Sequence, residues 1–171
     1  MNTSGKPKRV LGFVLVASGV VMVGGGAVNA NITLGVPTRV GPVINSGDTI
    51  DCLSYAGLEM YIVSSRPGGS GGGDMWVLKR PSKDDAWGPA ENFWPSVNSP
   101  KDDGSSSISA DGLTLYFDSD RPSGYGGYDV YMTARPTRTS PWGPAVNAGL
   151  NVNRSASDAF AWISPDGLEL Y

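Results

Sequence analysis

Apolar and polar positions alternate through 57–64, where Leu58, Met60 and Ile62 share one side of the chain. They alternate again through 74–80, where Met75, Val77 and Lys79 oppose Trp76 and Leu78. A period of two is the signature of a strand with two different faces. The same reading places a first strand at 50–55 and a loose outer strand at 89–97, where proline is tolerated because a sheet edge lacks one set of ladder bonds. Four further strands are predicted at 107–110, 113–118, 129–134 and 145–152, and a new one starts at 157–164.

The pattern is a repeat. Gly57-Leu58-Glu59-Met60-Tyr61, Gly112-Leu113-Thr114-Leu115-Tyr116 and Gly167-Leu168-Glu169-Leu170-Tyr171 follow one another at intervals of 55 residues. Arg66-Pro67 matches Arg121-Pro122, Asp74 matches Asp129, Arg80-Pro81 matches Arg135-Pro136, and Trp87-Gly88-Pro89 matches Trp142-Gly143-Pro144 at that offset, without a gap. A strand-rich unit of this length predicts propeller blades or another stacked β array. The units are bounded at 48–102 and 103–157, with a partial third at 158–171. Because 171 falls inside the second strand of that third unit, the chain is expected to be a piece of a longer one. Its end faces are expected to expose Leu115, Phe117 and Phe160.

Residues 1–30 carry Lys6, Lys8 and Arg9, then an apolar run from Val10 to about Val23, then the small-residue ending Val28-Asn29-Ala30. That is a secretory signal pattern, removed from the mature chain, after which no membrane span is expected. Residues 31–47 read as a proline-interrupted lead-in that supplies an outer strand. Loss of the signal takes away three of the 13 basic residues and none of the 16 acidic ones, leaving a formal charge of −6. Such a balance disfavours nucleic acid, whose capture needs basic clusters. One cysteine, Cys52, excludes an internal disulfide and reads as a small buried residue near the inner strand.

The segments Ser109 to Arg135 (SADGLTLYFDSDRPSGYGGYDVYMTAR) and Ile163 to Tyr171 (ISPDGLELY) resemble the WD40-like repeats of TolB-type bacterial β-propellers, and the likeness extends over about 48–171. The resemblance implies an all-β fold of four-stranded antiparallel blades, two complete with partial ones flanking them. It also implies export to the periplasm, the cell envelope or the exterior, with further repeats of the full-length chain as neighbours. Departures are Ala56 for the usual Asp and Gly73 where the second unit has Tyr128.

Candidate chemistry is sparse. There is no His, which removes Ser-His-Asp and Cys-His systems and the usual zinc sites from this chain. No catalytic residue, metal site or cofactor is predicted. Arg66 with Asp74, and Arg121 with Asp129, flank the loop between second and third strands, either lining a binding mouth or forming a clamp in which Asp takes loop amides and pairs with Arg. Recurrence in both units favours the clamp. Asp111-Gly112 and Asp166-Gly167 are read as hairpin turns. Asp48, Asp102, Asp103 and Asp158 precede each inner strand and read as turn caps rather than calcium ligands. The glycines of 67–73 lack the Lys-Ser/Thr ending and following helix of a phosphate loop and read as hairpin flexibility. Aromatic residues that break the repeat are the ligand-binding candidates: Trp94 aligns with Gly149 and Phe93 with Ala148. The expected function is a binding or scaffolding module for a protein or envelope polysaccharide; the alternative is a companion domain of a secreted hydrolase or lyase.

Overall fold

A computed structural model of the chain describes residues 49–54, 56–93 and 95–171, with β1 described through its backbone. The segments expected as signal (1–30) and lead-in (31–47), together with Asp48 and Trp94, lie outside the described residues. Those residues form two four-stranded antiparallel sheets in the order β1-β2-β3-β4 and β5-β6-β7-β8, with no helix among them. Sheet one comprises β1 (Thr49–Leu53), β2 (Glu59–Ser64), β3 (Asp74–Lys79) and β4 (Glu91–Asn92). Sheet two comprises β5 (Asp103–Ile108), β6 (Thr114–Ser119), β7 (Asp129–Ala134) and β8 (Val146–Asn147). The registers match at the sequence offset: Tyr61 opposes Val77 as Tyr116 opposes Met132, and Ser64 opposes Asp74 as Ser119 opposes Asp129.

Alternation decides which side chains meet. Tyr61, Met75, Val77 and Phe93 face sheet two and join Leu115, Phe117 and Tyr131 in one buried cluster, with Trp142 and Ala145 at its margin. Met60, Ile62, Trp76 and Leu78 form the opposite face of sheet one and are also buried. Each such side chain taken from water contributes roughly 1.5–3 kcal/mol. The expected exposure of Leu115 and Phe117 is corrected: both are fully buried, because their face of sheet two is the one turned toward sheet one. Phe160 is 80% exposed, together with Trp162, Leu168 and Tyr171.

The outer strands are two residues long rather than eight or nine. Proline flanks them at Pro89, Pro95 and Pro144, and a side-chain amide takes over the missing rungs. Asn98 accepts from the Met75 N–H at 3.0 Å and donates to its carbonyl at 2.9 Å. Asn153 does the same to Val130, both at 2.8 Å. The inner strand β5 begins four residues earlier than expected, since an irregularity between Gly104 and Ser107 masks the period of two. In the third unit the strands expected at 157–164 and beyond are reduced to a bridge between Ile163 and Leu170.

Each hairpin turn places its glycine in the left-handed region, with φ of +67° at Gly57 and +74° at Gly112 and Gly167. The aspartates contribute differently: Asp111 accepts from the Ser109 hydroxyl and the Leu113 N–H, and Asp166 from Ser164 and Leu168. These bonds, led by the serine hydroxyl, hold both carboxyls below their ordinary value. The support they give is present above the unfolded value and is lost as pH falls through the folded one.

The β2–β3 and β6–β7 loops each close on a carboxylate. Asp74 accepts the Ser70 and Gly71 amides, while Asp129 accepts those of Tyr125 and Gly126 and the Asn147 side-chain amide. A Cβ at Gly124 would overlap the Asp129 carboxylate, so close approach, more than flexibility, requires a glycine there. Ser123 has a φ of +76° where its repeat-mate Gly68 has +97°. Ser123→Gly is expected to stabilise the protein by about 0.5–1 kcal/mol through relief of that strain, seen as a higher denaturation midpoint.

Candidate binding cleft

The loops at one end of the sheets converge with the start of β5 on a cleft of about 480 Å³. Its walls are Asp102, Gly104, Ser105, Asp118, Tyr128 and Phe160, with Val63 and Gly73 from sheet one. The connection after β4 is stitched to the neighbouring loop, Asp103 N–H donating to the Gly73 carbonyl at 2.8 Å, and Asp158 repeats the bond to Tyr128 at 2.7 Å. The first bond sets Asp102 at the cleft, and Asp118 lines it from β6.

The charges are unequally compensated. Asp103 is fully buried, accepts from Ser99, and is paired with Arg121 at 2.5 Å. That guanidinium also lies over the Tyr131 ring at 4.6 Å. Here the expected clamp is corrected, since Arg121 pairs with Asp103 rather than Asp129: the Ser119 hydroxyl and the Val97 carbonyl hold it on that side. Arg66 likewise donates to Ser64, at 3.0 Å. By contrast Asp102 accepts from the Gly73 N–H at 2.6 Å and the Tyr128 hydroxyl at 3.1 Å, and Asp118 from the Phe160 N–H at 3.1 Å. Neither forms an ion pair with any described residue.

Burial, reinforced by the Asp103 charge and opposed by bonds from Phe160 and Ser105, raises the Asp118 carboxyl above its ordinary value. Burial and the Asp102 carboxylate also raise the Tyr128 hydroxyl. A carboxyl with a raised folded-state value binds its proton more tightly when folded, so its contribution to stability falls as pH rises from the ordinary value through the raised one. Asp118→Asn should therefore leave stability at pH 7 unchanged or higher by up to about 1 kcal/mol, and remove that pH-dependent step from the denaturation profile.

Both rings break the repeat. Tyr128 stands where sheet one has Gly73, and Phe160 where sheet two has Ser105. Phe160 has a φ of +60°, repeating the +47° of Ser105, so the backbone bulge is inherited and a bulky, exposed ring is placed on it. Strain of this kind on a large residue is uncommon and concentrates at functional positions. The repeat-breaking criterion, which selects Trp94 and Phe93 as ligand-binding candidates, applies equally to Tyr128 and Phe160. Phe93 is 9% exposed, its ring 5.9 Å from Tyr61 and 6.4 Å from Trp142 in the inter-sheet cluster. It lines the floor of a second groove, of about 700 Å³, at the opposite end of the sheets, and its role there is packing.

Asp74 and Asp129 serve their own loops, and Asp111, Gly112, Asp166 and Gly167 serve the turns at the other end; none of these lines the cleft. Asp158 caps its own turn by accepting the Arg154 N–H at 2.6 Å. Among the described residues no three acidic, His or Cys side chains are grouped to hold a metal ion, and no helix is long and apolar enough to cross a membrane. No protein-family model matches the chain, and no curated protein matches it.

Proposed function

We propose that the protein is an exported, propeller-type binding module that takes a protein or envelope polysaccharide into the cleft of Asp102, Asp118, Tyr128 and Phe160. The observation that carries this reading is the coincidence, at one concave site, of two rings absent from the equivalent positions of the repeat with two carboxylates that lack a cationic partner among the described residues. Rings supply flat apolar area and carboxylates accept hydrogen bonds, the combination that suits a sugar or a polar side chain. Polyanions are disfavoured at this mouth. Supporting the propeller reading are two meander sheets of equal register packed face to face at a constant sequence offset. Supporting export is the amino-terminal pattern, with cleavage after Ala30, which the intact mass of exported protein checks.

The test is a glycan array and affinity capture from an envelope extract, each repeated with Tyr128→Ala and Phe160→Ala. Both variants should retain the thermal midpoint, because neither ring is part of the core, and should lose at least about tenfold in binding, the weight of one good stacking contact. Binding unaffected by both variants would exclude the cleft, and turnover of a polysaccharide by this chain would exclude a purely binding role.

A further inference from the structure

At the end opposite the cleft the two sheets meet along the second groove, of about 700 Å³. Leu58 and Phe93 from the first unit and Trp142 from the second give it an apolar floor. Both walls belong to the two complete units, so the groove is bounded without the third.

Its charged lining is unbalanced: four cations, Lys79, Arg80, Arg135 and Arg138, accompany two carboxylates, Glu59 and Glu91. Both carboxylates are taken. Glu59 accepts two bonds from Arg135, at 3.0 and 2.7 Å, and Glu91 pairs with Lys79 at 2.7 Å. Arg80 donates to the Gly57 and Lys83 carbonyls, and neither it nor Arg138 has a carboxylate partner among the described residues. Arg138 is the more exposed of the two. Its Nε donates to the Asp111 carbonyl at 2.7 Å, which fixes the stem, while its two terminal amines take no bond among the described residues. The Asp111 carboxylate is occupied by the Ser109 hydroxyl and the Leu113 N–H. A tethered guanidinium fork with free donors matches a carboxylate, which it can hold in two parallel bonds.

The rest of the groove narrows the occupant. Trp142 already carries the Arg135 guanidinium at 4.4 Å and meets Tyr61 and Phe93 edge-on, so it offers a surface to an aliphatic side chain rather than an open platform to a sugar ring. The exposed Glu91 would repel a chain that carries negative charge at every unit. We infer that this groove binds a short acidic peptide segment of a partner protein, an acidic side chain entering against Arg138 and an aliphatic neighbour lying on the floor. The site shares no residue with the cleft.

Fluorescence anisotropy with the full chain at low salt tests it, the probe being a labelled hexapeptide that alternates glutamate with leucine. The probe should bind at least about tenfold more tightly than its glutamine counterpart, and polyglucuronate should not displace it. Arg138→Glu should weaken binding at least about tenfold and Arg138→Lys several-fold, with the thermal midpoint unchanged because the side chain is exposed. Tyr128→Ala should leave the affinity as it is, which keeps this result independent of the cleft reading. Equal binding of the glutamine peptide, displacement by polyglucuronate, indifference to Arg138→Glu, loss in Tyr128→Ala, or no binding up to about 1 mM would overturn the inference.

Discussion

Glu59→Ala is expected to lower the unfolding free energy by about 3–5 kcal/mol, the cost of leaving a buried guanidinium without its carboxylate. The Arg135 side chain is 3% exposed and that of Glu59 14%, so water cannot replace the lost partner well. Substituting both, as Glu59→Leu with Arg135→Leu, should recover about half of the loss, since no charge is then stranded while the Gly112 carbonyl still lacks its donor. Urea denaturation with an unchanged slope measures both effects. A single substitution costing under about 1 kcal/mol would mean that the two sheets are held by apolar contact alone.

Asn153→Ala should cost about 2–4 kcal/mol. The side chain is fully buried and makes three bonds of 2.8 Å, to the N–H and carbonyl of Val130 and to the Asn147 side-chain oxygen. Removing it strands the Val130 N–H of β7, which the two-residue strand β8 is too short to reach, while the Val130 carbonyl keeps the Ala148 N–H at 3.0 Å. Hydrogen exchange gives the sharper readout: protection at the Val130 amide should fall far more than at Tyr131, whose strand pairing remains. Equal loss at both would show that the asparagine supports the sheet only through its volume.

The central strands were legible because both faces of each are packed against something different. Asp129–Ala134 coincides with its alternating run, and β2, β3 and β6 differ from theirs by one or two residues at an end. The repeat made the matched registers of the two sheets an expected result. The outer strands were not legible, because the rungs that replace them come from Asn98 and Asn153, six residues beyond the paired Asn92 and Asn147, and side-chain mimicry of a ladder has no periodic signal. The Arg121 pairing is hidden for a related reason: its partner Asp103 lies 18 residues back along the chain, farther than Asp129, and recurrence identifies a paired role without identifying the pair.

At the cleft, composition and the lack of His limit the chemistry, and the acidic positions before each inner strand stand out in the sequence. Convergence does not. Asp102 and Tyr128 are 26 residues apart and meet where the β4–β5 connection passes the β6–β7 loop, the Tyr128 hydroxyl donating to the Asp102 carboxylate. Comparing repeats position by position for every aromatic residue would have shown Phe160 opposite Ser105. Phe93, which the same comparison selected, shows the limit of the criterion: a ring that breaks the repeat also fills a gap between sheets where Trp142 reaches across.

The measurement that tests the cleft most directly is amide chemical-shift mapping by two-dimensional NMR, with the glycan or peptide recovered in the binding screen titrated into the protein. The account predicts that the largest shifts fall on the amides of Gly73, Tyr128 and Phe160, two of which donate to the cleft carboxylates. They should vanish together in Phe160→Ala. Shifts centred instead on the opposite groove, around Lys79, Arg138 and Trp142, would contradict it.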